Sequence, residues 1–143
     1  MENIKIYLSG GMSGLNLDDQ LIWRCRLESY IKNSAYDVNR NPMFFNPPMY
    51  YSPSTNDHKS EKEAMEFELN NLRRSDLVIV NFNVPKSIGT AMELAVAREH
   101  RIPIIGLHEN KNTVLHPWLV ECCTRICDNF DELVQHIVTF YLN

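Results

Sequence analysis

The segment DLVIVNF (76–82) decides the fold, together with VPKSIGTAMEL (84–94), which follows it almost directly. An almost uninterrupted apolar run of this length is typical of a β-strand that is covered on both faces of its sheet. The stretch TAMELAVAREH (90–100) predicts a helix, and IPIIGLH (102–108) predicts a second buried strand. Strand, helix and strand in this order make a right-handed crossover between parallel strands.

The same alternation continues in both directions along the chain. The patterns predict a strand that breaks into a glycine turn at 4–14, strands near 43–46 and at 124–127, helices at 17–33, 61–75 and 129–142, and a polar loop at 52–60. No linker divides the sequence. We therefore expect one domain over residues 1–143, a Rossmann- or flavodoxin-like three-layer sandwich whose five-stranded sheet is parallel or mostly parallel.

Two of the predicted helices carry apolar residues close to helical spacing. In the first, the apolar positions are Leu21, Ile22, Cys25, Leu27, Tyr30 and Ile31, and the N-cap is Asn16 or Asp18. In the second, they are Ala64, Met65, Phe67, Leu69 and Leu72. We expect these two faces to pack against the sheet.

The composition argues against several classes of function. The formal net charge is −4 and the basic residues do not cluster, so nucleic-acid binding has no electrostatic support. A small-molecule ligand is the better expectation. No apolar run approaches the ~20 residues of a membrane span, and the first residues do not resemble a signal peptide. We expect a cytoplasmic protein.

Three of the four cysteines lie in the short stretch ECCTRIC (121–127), and the fourth, Cys25, lies in the first predicted helix. A zinc site would need a second ligand cluster at a recurring spacing, which the sequence does not contain. Reduced, partly buried thiols are the simpler interpretation. The sequence predicts neither a metal nor a cofactor.

Ligands of open parallel sheets bind beyond the carboxyl ends of the strands, where the strand order reverses. Three turns are expected there: SGGMSG (9–14), FNPPMYY (45–51) and NVPKSIG (83–89). The first fits neither the dinucleotide-binding fingerprint nor the phosphate-binding P-loop. It is either a simple tight turn or a place where a ligand approaches the backbone closely.

The stretch KSIGT (86–90) also has two interpretations. Backbone N–H groups, the helix dipole and a Ser hydroxyl together suit an anion such as phosphate, whereas Ser87 or Thr90 alone explains an N-cap. Glu93 is predicted in the first turn of the same helix, a position that lowers the pKa of a carboxylate. An ionised Glu93 is either a nucleophile at a glycosidic carbon or merely a favourable first-turn acid.

Several of these segments occur together in one known family. IKIYLSGGM, FNP, LRRSDLVIVNF, SIGTAMELAVA and IPIIGL resemble the nucleoside 2-deoxyribosyltransferase family over about residues 4–107. The Tyr of the first strand and the S/D-x-G-x-x-x-E segment are fairly specific when they occur together. The predicted topology also brings together the turns that carry Tyr7, Glu68, Ser87, Gly89 and Glu93.

The resemblance implies cleavage of an N-glycosidic bond. By position, Glu93 would attack C1′ of the sugar and form a covalent glycosyl-enzyme, while Tyr7 would orient the carboxylate. Glu68 stands where the family usually has an Asp that protonates the leaving base. The family is dimeric or larger, and a C-terminal residue of a neighbouring subunit completes each site; His116 is the candidate for that residue.

The family also divides by substrate. Its enzymes for free nucleosides have an Asp six residues before the nucleophile, whereas its deoxynucleoside 5′-monophosphate N-glycosidases have a Ser, as this chain does at Ser87. A Ser beside backbone amides accommodates a phosphate that an Asp would repel. The resemblance therefore implies hydrolysis of a (deoxy)nucleoside 5′-monophosphate. Base exchange on free deoxynucleosides and non-catalytic nucleotide binding are the alternatives.

The remaining predicted substrate contacts come from the three turns. Besides Ser87, they are Ser9, Gly10, Gly11, Met12, Asn46 and Gly89. Asn46 is expected to read an edge of the base, and Tyr50 or Tyr51 to stack on it. Aromatic packing within a proline-rich loop explains the two tyrosines equally well.

Overall fold

Five parallel strands form one sheet in the computed structural model, which describes residues 1–12, 15–33, 38–50 and 58–143. The strands are β1 (Glu2–Gly10), β2 (Arg40–Phe45), β3 (Leu77–Asn81), β4 (Ile104–Leu107) and β5 (Arg125–Cys127). Their order is β2-β1-β3-β4-β5, and every neighbouring pair is parallel. This flavodoxin-like order reverses between β1 and β3. The predicted five-stranded parallel sheet is confirmed.

Helices cover both faces of the sheet. They are α1 (Leu17–Lys32), α2 (Glu61–Arg73), α3 (Ile88–Glu99), α4 (Pro117–Cys122) and α5 (Phe130–Tyr141), and a short 3-10 helix (Pro47–Tyr50) follows β2. The sequence patterns did not predict α4. It starts with a proline behind the capping side chain of His116, which is a common helix start, but it is too short to show a helical period.

Each face of the sheet carries its own apolar cluster, because side chains alternate between the faces along a strand. Ile6 and Leu8 of β1 belong to the cluster that α1 and α5 cover. Tyr7 belongs to the other cluster, which contains residues of α2, α3 and α4. All five residues of β3 are buried, as the apolar run predicts. The predicted three-layer sandwich is therefore confirmed.

The buried face of α1 differs from the prediction. Leu27 and Ile31 are buried as expected, but Ile22 is 63% exposed. Arg24 is buried instead, beside Trp23. The prediction was wrong because it ranked positions by apolarity, whereas a charged side chain is buried where carbonyl groups accept its hydrogen bonds.

The start of α1 and the buried face of α2 are closer to expectation. Asn16 caps α1, since its Oδ1 accepts a hydrogen bond from Asp19 N at 2.8 Å. On α2, Leu69 and Leu72 are buried, while Met65 is 42% exposed. The apolar spacing thus identified the buried face of α2 but not how far along the helix the burial extends.

The four cysteines are free thiols. No group of three or more His, Cys, Asp or Glu residues suited to a metal ion occurs in the described ranges. Within the same ranges, no helix is long and apolar enough to cross a membrane. Most of the predicted loop 52–60, and Tyr51 before it, lie outside the described residues.

Candidate active site

Several of the predicted site residues lie where the strand order reverses. Ser9 and Gly10 pair with Val80 and Asn81 at the carboxyl ends of β1 and β3. Beyond β3 the chain turns into α3, which carries Glu93. The reversal point of a parallel sheet leaves a crevice between the two crossovers, and ligands bind there.

A side-chain hydrogen bond joins β1 to α3 at this point. Ser9 Oγ donates to Glu93 Oε1 at 3.2 Å, across 84 residues of sequence. Tyr7 lies two residues earlier on the same face of β1, and its side chain is fully buried. The structure thus brings Tyr7, Ser9 and Glu93 together.

Glu93 does not lie in the first turn of α3, where it was predicted. The helix begins at Ile88 with Ser87 as its N-cap, and its first turn contains no acidic residue. Glu93 therefore lies in the second turn, and the effect of the helix dipole falls off within the first.

The predicted lowering of the Glu93 pKa is also wrong. The residue as a whole is only partly buried, but its carboxylate oxygen Oε2 is shielded from solvent. Burial raises the pKa of Glu93 to about 8, because a carboxylate loses hydration energy when it leaves water. The raised pKa favours the protonated form of Glu93.

Neighbouring groups modify this pKa in both directions. After burial, the Tyr7 hydroxyl has the largest effect on the pKa of Glu93 and lowers it, whereas the negative charge of Glu68 raises it. The Ser9 hydroxyl and the positive charge of Arg24 lower it further. Two carboxyl groups in electrostatic contact, one with a raised pKa, are typical of sites that use a nucleophile and an acid.

Ser87 is the N-cap of α3, which was one of the two interpretations of this stretch. Its Oγ accepts hydrogen bonds from Thr90 N at 3.2 Å and from Thr90 Oγ1 at 3.0 Å. Gly89 is exposed, and a Cβ built on it would meet no described atom within 4 Å. The start of α3 therefore borders open space, so that capping and anion binding are compatible here.

The glycines of the first turn are explained by contacts within the protein. A Cβ on Gly11 would lie 2.4 Å from Val84 Cβ, and Gly11 N donates to Asn83 Oδ1 at 3.3 Å. The turns after β1 and β3 are thus packed on each other. Met12 continues the first turn, and its carbonyl accepts from Leu15 N at 3.1 Å. Ser13 and Gly14 lie outside the described residues.

An aromatic cluster leads from the site toward the turn after β2. Tyr7 stacks on Phe45 with ring centroids 5.2 Å apart, and Phe45 stacks on Tyr50 at 5.1 Å. Phe67 of α2 closes the cluster against both Phe45 and Tyr50. Tyr50 is still 42% exposed, so one ring packs within the protein and also borders solvent.

Two further predicted residues are placed by their own turns. Asn46 directly follows β2 and is 6% exposed, and its backbone carbonyl accepts from Met49 N at 3.1 Å. His116 is exposed at the start of α4, where its Nδ1 accepts from Trp118 N at 3.1 Å. Its role in the site of a neighbouring subunit stays a prediction.

One charged residue near the site, Arg24, was not predicted from the sequence. Arg24 is 1% exposed, and its guanidinium donates to the carbonyls of Leu8, Gln20 and Gly10. Burial lowers the pKa of Arg24 to about 10, so it remains a cation at neutral pH. The available signal was its spacing from Leu27, which places both residues on one side of α1.

Comparison with known proteins places the sequence in a family over most of its length. Residues 4–106 match the family described as "Domain of unknown function (DUF4406)". No curated protein sequence matches the chain.

Solved structures with the same fold were found at low sequence identity. A conserved protein from Enterococcus faecalis superimposes with a TM-score of 0.74 at 18% identity, covering 94% of this chain and 96% of its own. A 2-deoxyribosyltransferase from Bacillus psychrosaccharolyticus gives 0.68 at 15% identity, with 91% and 90% covered. A CMP N-glycosidase from Clostridium botulinum gives 0.54 at 16% identity, with 93% and 97% covered. The chain therefore belongs to the DUF4406 family and has the fold of the nucleoside 2-deoxyribosyltransferases, as the sequence resemblance predicted.

Proposed function

We propose that this protein hydrolyses the N-glycosidic bond of a (deoxy)nucleoside 5′-monophosphate and releases the free base and (deoxy)ribose 5-phosphate. The observation that carries the proposal is the Glu93 carboxylate, held by the Ser9 hydroxyl at 3.2 Å where the strand order reverses. Two structural neighbours, a 2-deoxyribosyltransferase and a CMP N-glycosidase, support this class of reaction.

The first step breaks the bond between sugar and base. An oxygen of ionised Glu93 forms a bond to C1′, while the bond from C1′ to the base nitrogen breaks and its electron pair leaves with the base. Glu68 takes up the proton that Glu93 loses on ionising and donates it to the leaving base. The product of this step is a glycosyl ester of Glu93.

The second step releases the sugar. A water molecule attacks C1′, its proton passes to the now ionised Glu68, and the Glu93 carboxylate leaves. Tyr7 and Ser9 orient Glu93 and favour its ionised form, since both lower its pKa. They oppose the effect of burial, which favours the protonated form.

The start of α3 supports a substrate that carries a 5′-phosphate. Its first turn has no acidic residue, the Ser87 hydroxyl lies at its cap, and Gly89 borders open space. N–H groups at a helix N-terminus bind phosphate through hydrogen bonds and the helix dipole. The base would then lie toward β2, where Asn46 and Tyr50 follow the strand.

We further propose that the protein is a homo-oligomer, at least a dimer. Large apolar side chains are exposed on α3 and around the start of α4: Ile88 at 77%, Met92 at 45%, Val114 at 89% and Trp118 at 79%. Exposed apolar groups of this size are typical of protein interfaces. His116 lies between Val114 and Trp118 in sequence, so an interface there would bring it to a neighbouring subunit.

One assay separates the proposed reaction from its alternatives. The protein is incubated with CMP, dCMP and other (deoxy)nucleoside monophosphates, and with the matching nucleosides, each with and without a second free base. Free base is followed by liquid chromatography. Release from monophosphates in water is the expected result. Turnover of unphosphorylated nucleosides alone, or only with a second base, indicates base exchange. Thermal stabilisation without turnover indicates a nucleotide-binding protein.

A further inference from the structure

A buried cation lies on the other face of β1 from the Glu93 carboxylate. Arg24 is part of α1, beside the apolar cluster that contains Leu8, whereas Glu93 is part of α3. Arg24 is 1% exposed. Removing a charged group from water costs several kcal/mol, and an aliphatic side chain would fill the same space. The charge therefore has to be explained by what it contacts.

Arg24 contacts the carboxyl-terminal end of β1, which pairs with β3 but no longer with β2. Pairing of β1 with β2 ends at Tyr7 and Phe45, while pairing with β3 continues to Gly10 and Asn81. Residues 8–10 therefore have a strand on one side only. We call them the β1 extension.

Arg24 supplies the hydrogen-bond donors that β2 does not provide here. The Lys5 carbonyl accepts a hydrogen bond from Asp76 N, just before β3, and successive carbonyls along a strand point to opposite sides. The even-numbered carbonyls of Leu8 and Gly10 therefore point to the side where β2 has ended. Arg24 Nε donates to Leu8 O and Nη2 donates to Gly10 O, both at 3.3 Å.

The residue between these two carbonyls is Ser9, whose hydroxyl donates to Glu93 Oε1 at 3.2 Å. Restraining the backbone on both sides of Ser9 restrains the position of that hydroxyl. The guanidinium is itself held, because Arg24 Cζ lies 4.7 Å from the ring centre of Trp23. A Cβ on Gly10 would meet Trp23 at 3.1 Å and Arg24 Nη2 at 3.4 Å, so the extension fits closely around this pair.

We propose that Arg24 is a positioning residue of the candidate active site, which holds the β1 extension so that Ser9 orients Glu93, and whose charge acts through the sheet on that carboxylate. The inference deepens the proposed function, and the effect of Arg24 on catalysis rests on that function. The directions of the pKa shifts agree with this role, since Glu93 raises the pKa of Arg24 and Arg24 lowers that of Glu93. The other titratable groups that act on Arg24 are Tyr7, Glu68 and Cys25.

The first test needs no substrate. The protein is labelled with glutamate that carries ¹³C at the side-chain carboxyl, and the Glu93 signal is assigned as the one missing in Glu93→Gln. Its pKa is then compared between wild type and Arg24→Met, with Arg24→Gln as a second neutral variant in case the first does not fold. We expect a higher Glu93 pKa in the neutral variants and a value close to wild type in Arg24→Lys. An unchanged pKa in the neutral variants overturns the inference.

The second test uses turnover and separates positioning from general stability. Arg24→Met should lower kcat by about tenfold or more with KM within about twofold, because positioning acts on the transition state. Leu27→Ala is the matched control: Leu27 lies on the same helix and is fully buried, so its truncation should lower the melting temperature. At a temperature where both variants are folded, an equal loss of kcat in Leu27→Ala overturns the inference.

The two proposals fail in distinguishable ways. If wild type turns over no nucleotide but the Glu93 pKa still depends on Arg24, the proposed function is refuted and the positioning role of Arg24 stands. If turnover is present but Arg24→Met changes neither the Glu93 pKa nor kcat, the role of Arg24 is refuted and the proposed function stands.

Discussion

The starts of α3 and α5 show two uses of the same local structure. Both are capped by a side chain that accepts a hydrogen bond from the third helical residue: Ser87 from Thr90 N at 3.2 Å, and Asn129 from Glu132 N at 2.8 Å. In α5, the first turn also carries Asp131 and Glu132. In α3 it carries no acid.

The two helix starts differ in which negative charge interacts with the positive N-terminal end of the helix dipole. In α5 the protein supplies its own negative charge, and Glu132 also accepts from Asp128 N at 3.2 Å. The first turns of α1 and α2 likewise contain acidic residues. In α3 the acid lies instead in the second turn, at Glu93, where its Oε1 accepts a hydrogen bond from the Ser9 hydroxyl. A helix start that lacks internal compensation is available to an anionic ligand.

Removing the second-turn acid of α3 should have the largest effect. Glu93→Gln keeps the shape but removes the nucleophile, so we expect kcat to fall by roughly a thousandfold or more. The matched change on α5, Glu132→Gln, should leave kcat within about twofold. Both are measured as release of free base from monophosphates. Near-normal turnover by Glu93→Gln contradicts its role as nucleophile.

Making the start of α3 resemble that of α5 should have the next largest effect. Ser87→Asp places a negative charge where the phosphate is proposed to bind, and we expect kcat/KM for monophosphates to fall about 10- to 100-fold. Ser87→Asn is the control, because Asn caps helices about as well without the charge. Equal losses in both variants, or equal losses for nucleosides and monophosphates, would show that Ser87 acts only as a cap.

The pH dependence of activity tests the burial of Glu93. Since its pKa is raised to about 8, the ionised nucleophile of the free enzyme is lost as pH falls below that value. We expect kcat/KM to decrease about tenfold per pH unit on the acid side. A profile that stays flat down to about pH 5 would mean that the reacting carboxylate is exposed or otherwise ionised.

The same pKa has a consequence for stability. A folded-state pKa raised from 4.5 to about 8 means that folding favours protonated Glu93. The stabilisation of the folded state by protonated Glu93 is fully present below the unfolded-state pKa and is lost as pH rises toward the folded-state pKa. The neutral side chain of Glu93→Gln avoids this loss. At about 1.4 kcal/mol per pKa unit and about 2–4 °C per kcal/mol, we expect its melting temperature to exceed that of wild type by roughly 10 °C near pH 8 and to converge with it near pH 4. A constant difference contradicts the prediction.

The smallest effect is expected from the cap of α5. Asn129→Ala removes the acceptor for Glu132 N and should lower the free energy of unfolding by about 1 kcal/mol, measured by urea denaturation. Activity at 25 °C should stay unchanged, because nothing at this helix start is proposed to contact substrate. A loss of turnover beyond the loss of folded protein would mean that α5 also takes part in the site.

Much of the fold was predictable because it rests on local patterns. The run Leu77–Asn81 is buried throughout, as its apolarity indicates, and the parallel order follows from alternating strands and helices. The grouping of Tyr7 with Glu93 at one edge followed from resemblance and topology. The helix α4 escaped prediction because six residues show no period.

The sequence by itself therefore determined the layers, the parallel sheet and the edge at which polar residues gather, since these depend on periodicities that neighbouring residues display. Only the tertiary structure decided the charge states and partners at that edge. Ser9 and Glu93 meet across 84 residues, burial reverses the expected pKa shift of Glu93, and Arg24 is drawn into the interior by carbonyls of β1. Burial and electrostatics sum over groups that are distant in sequence, so no local pattern displays them.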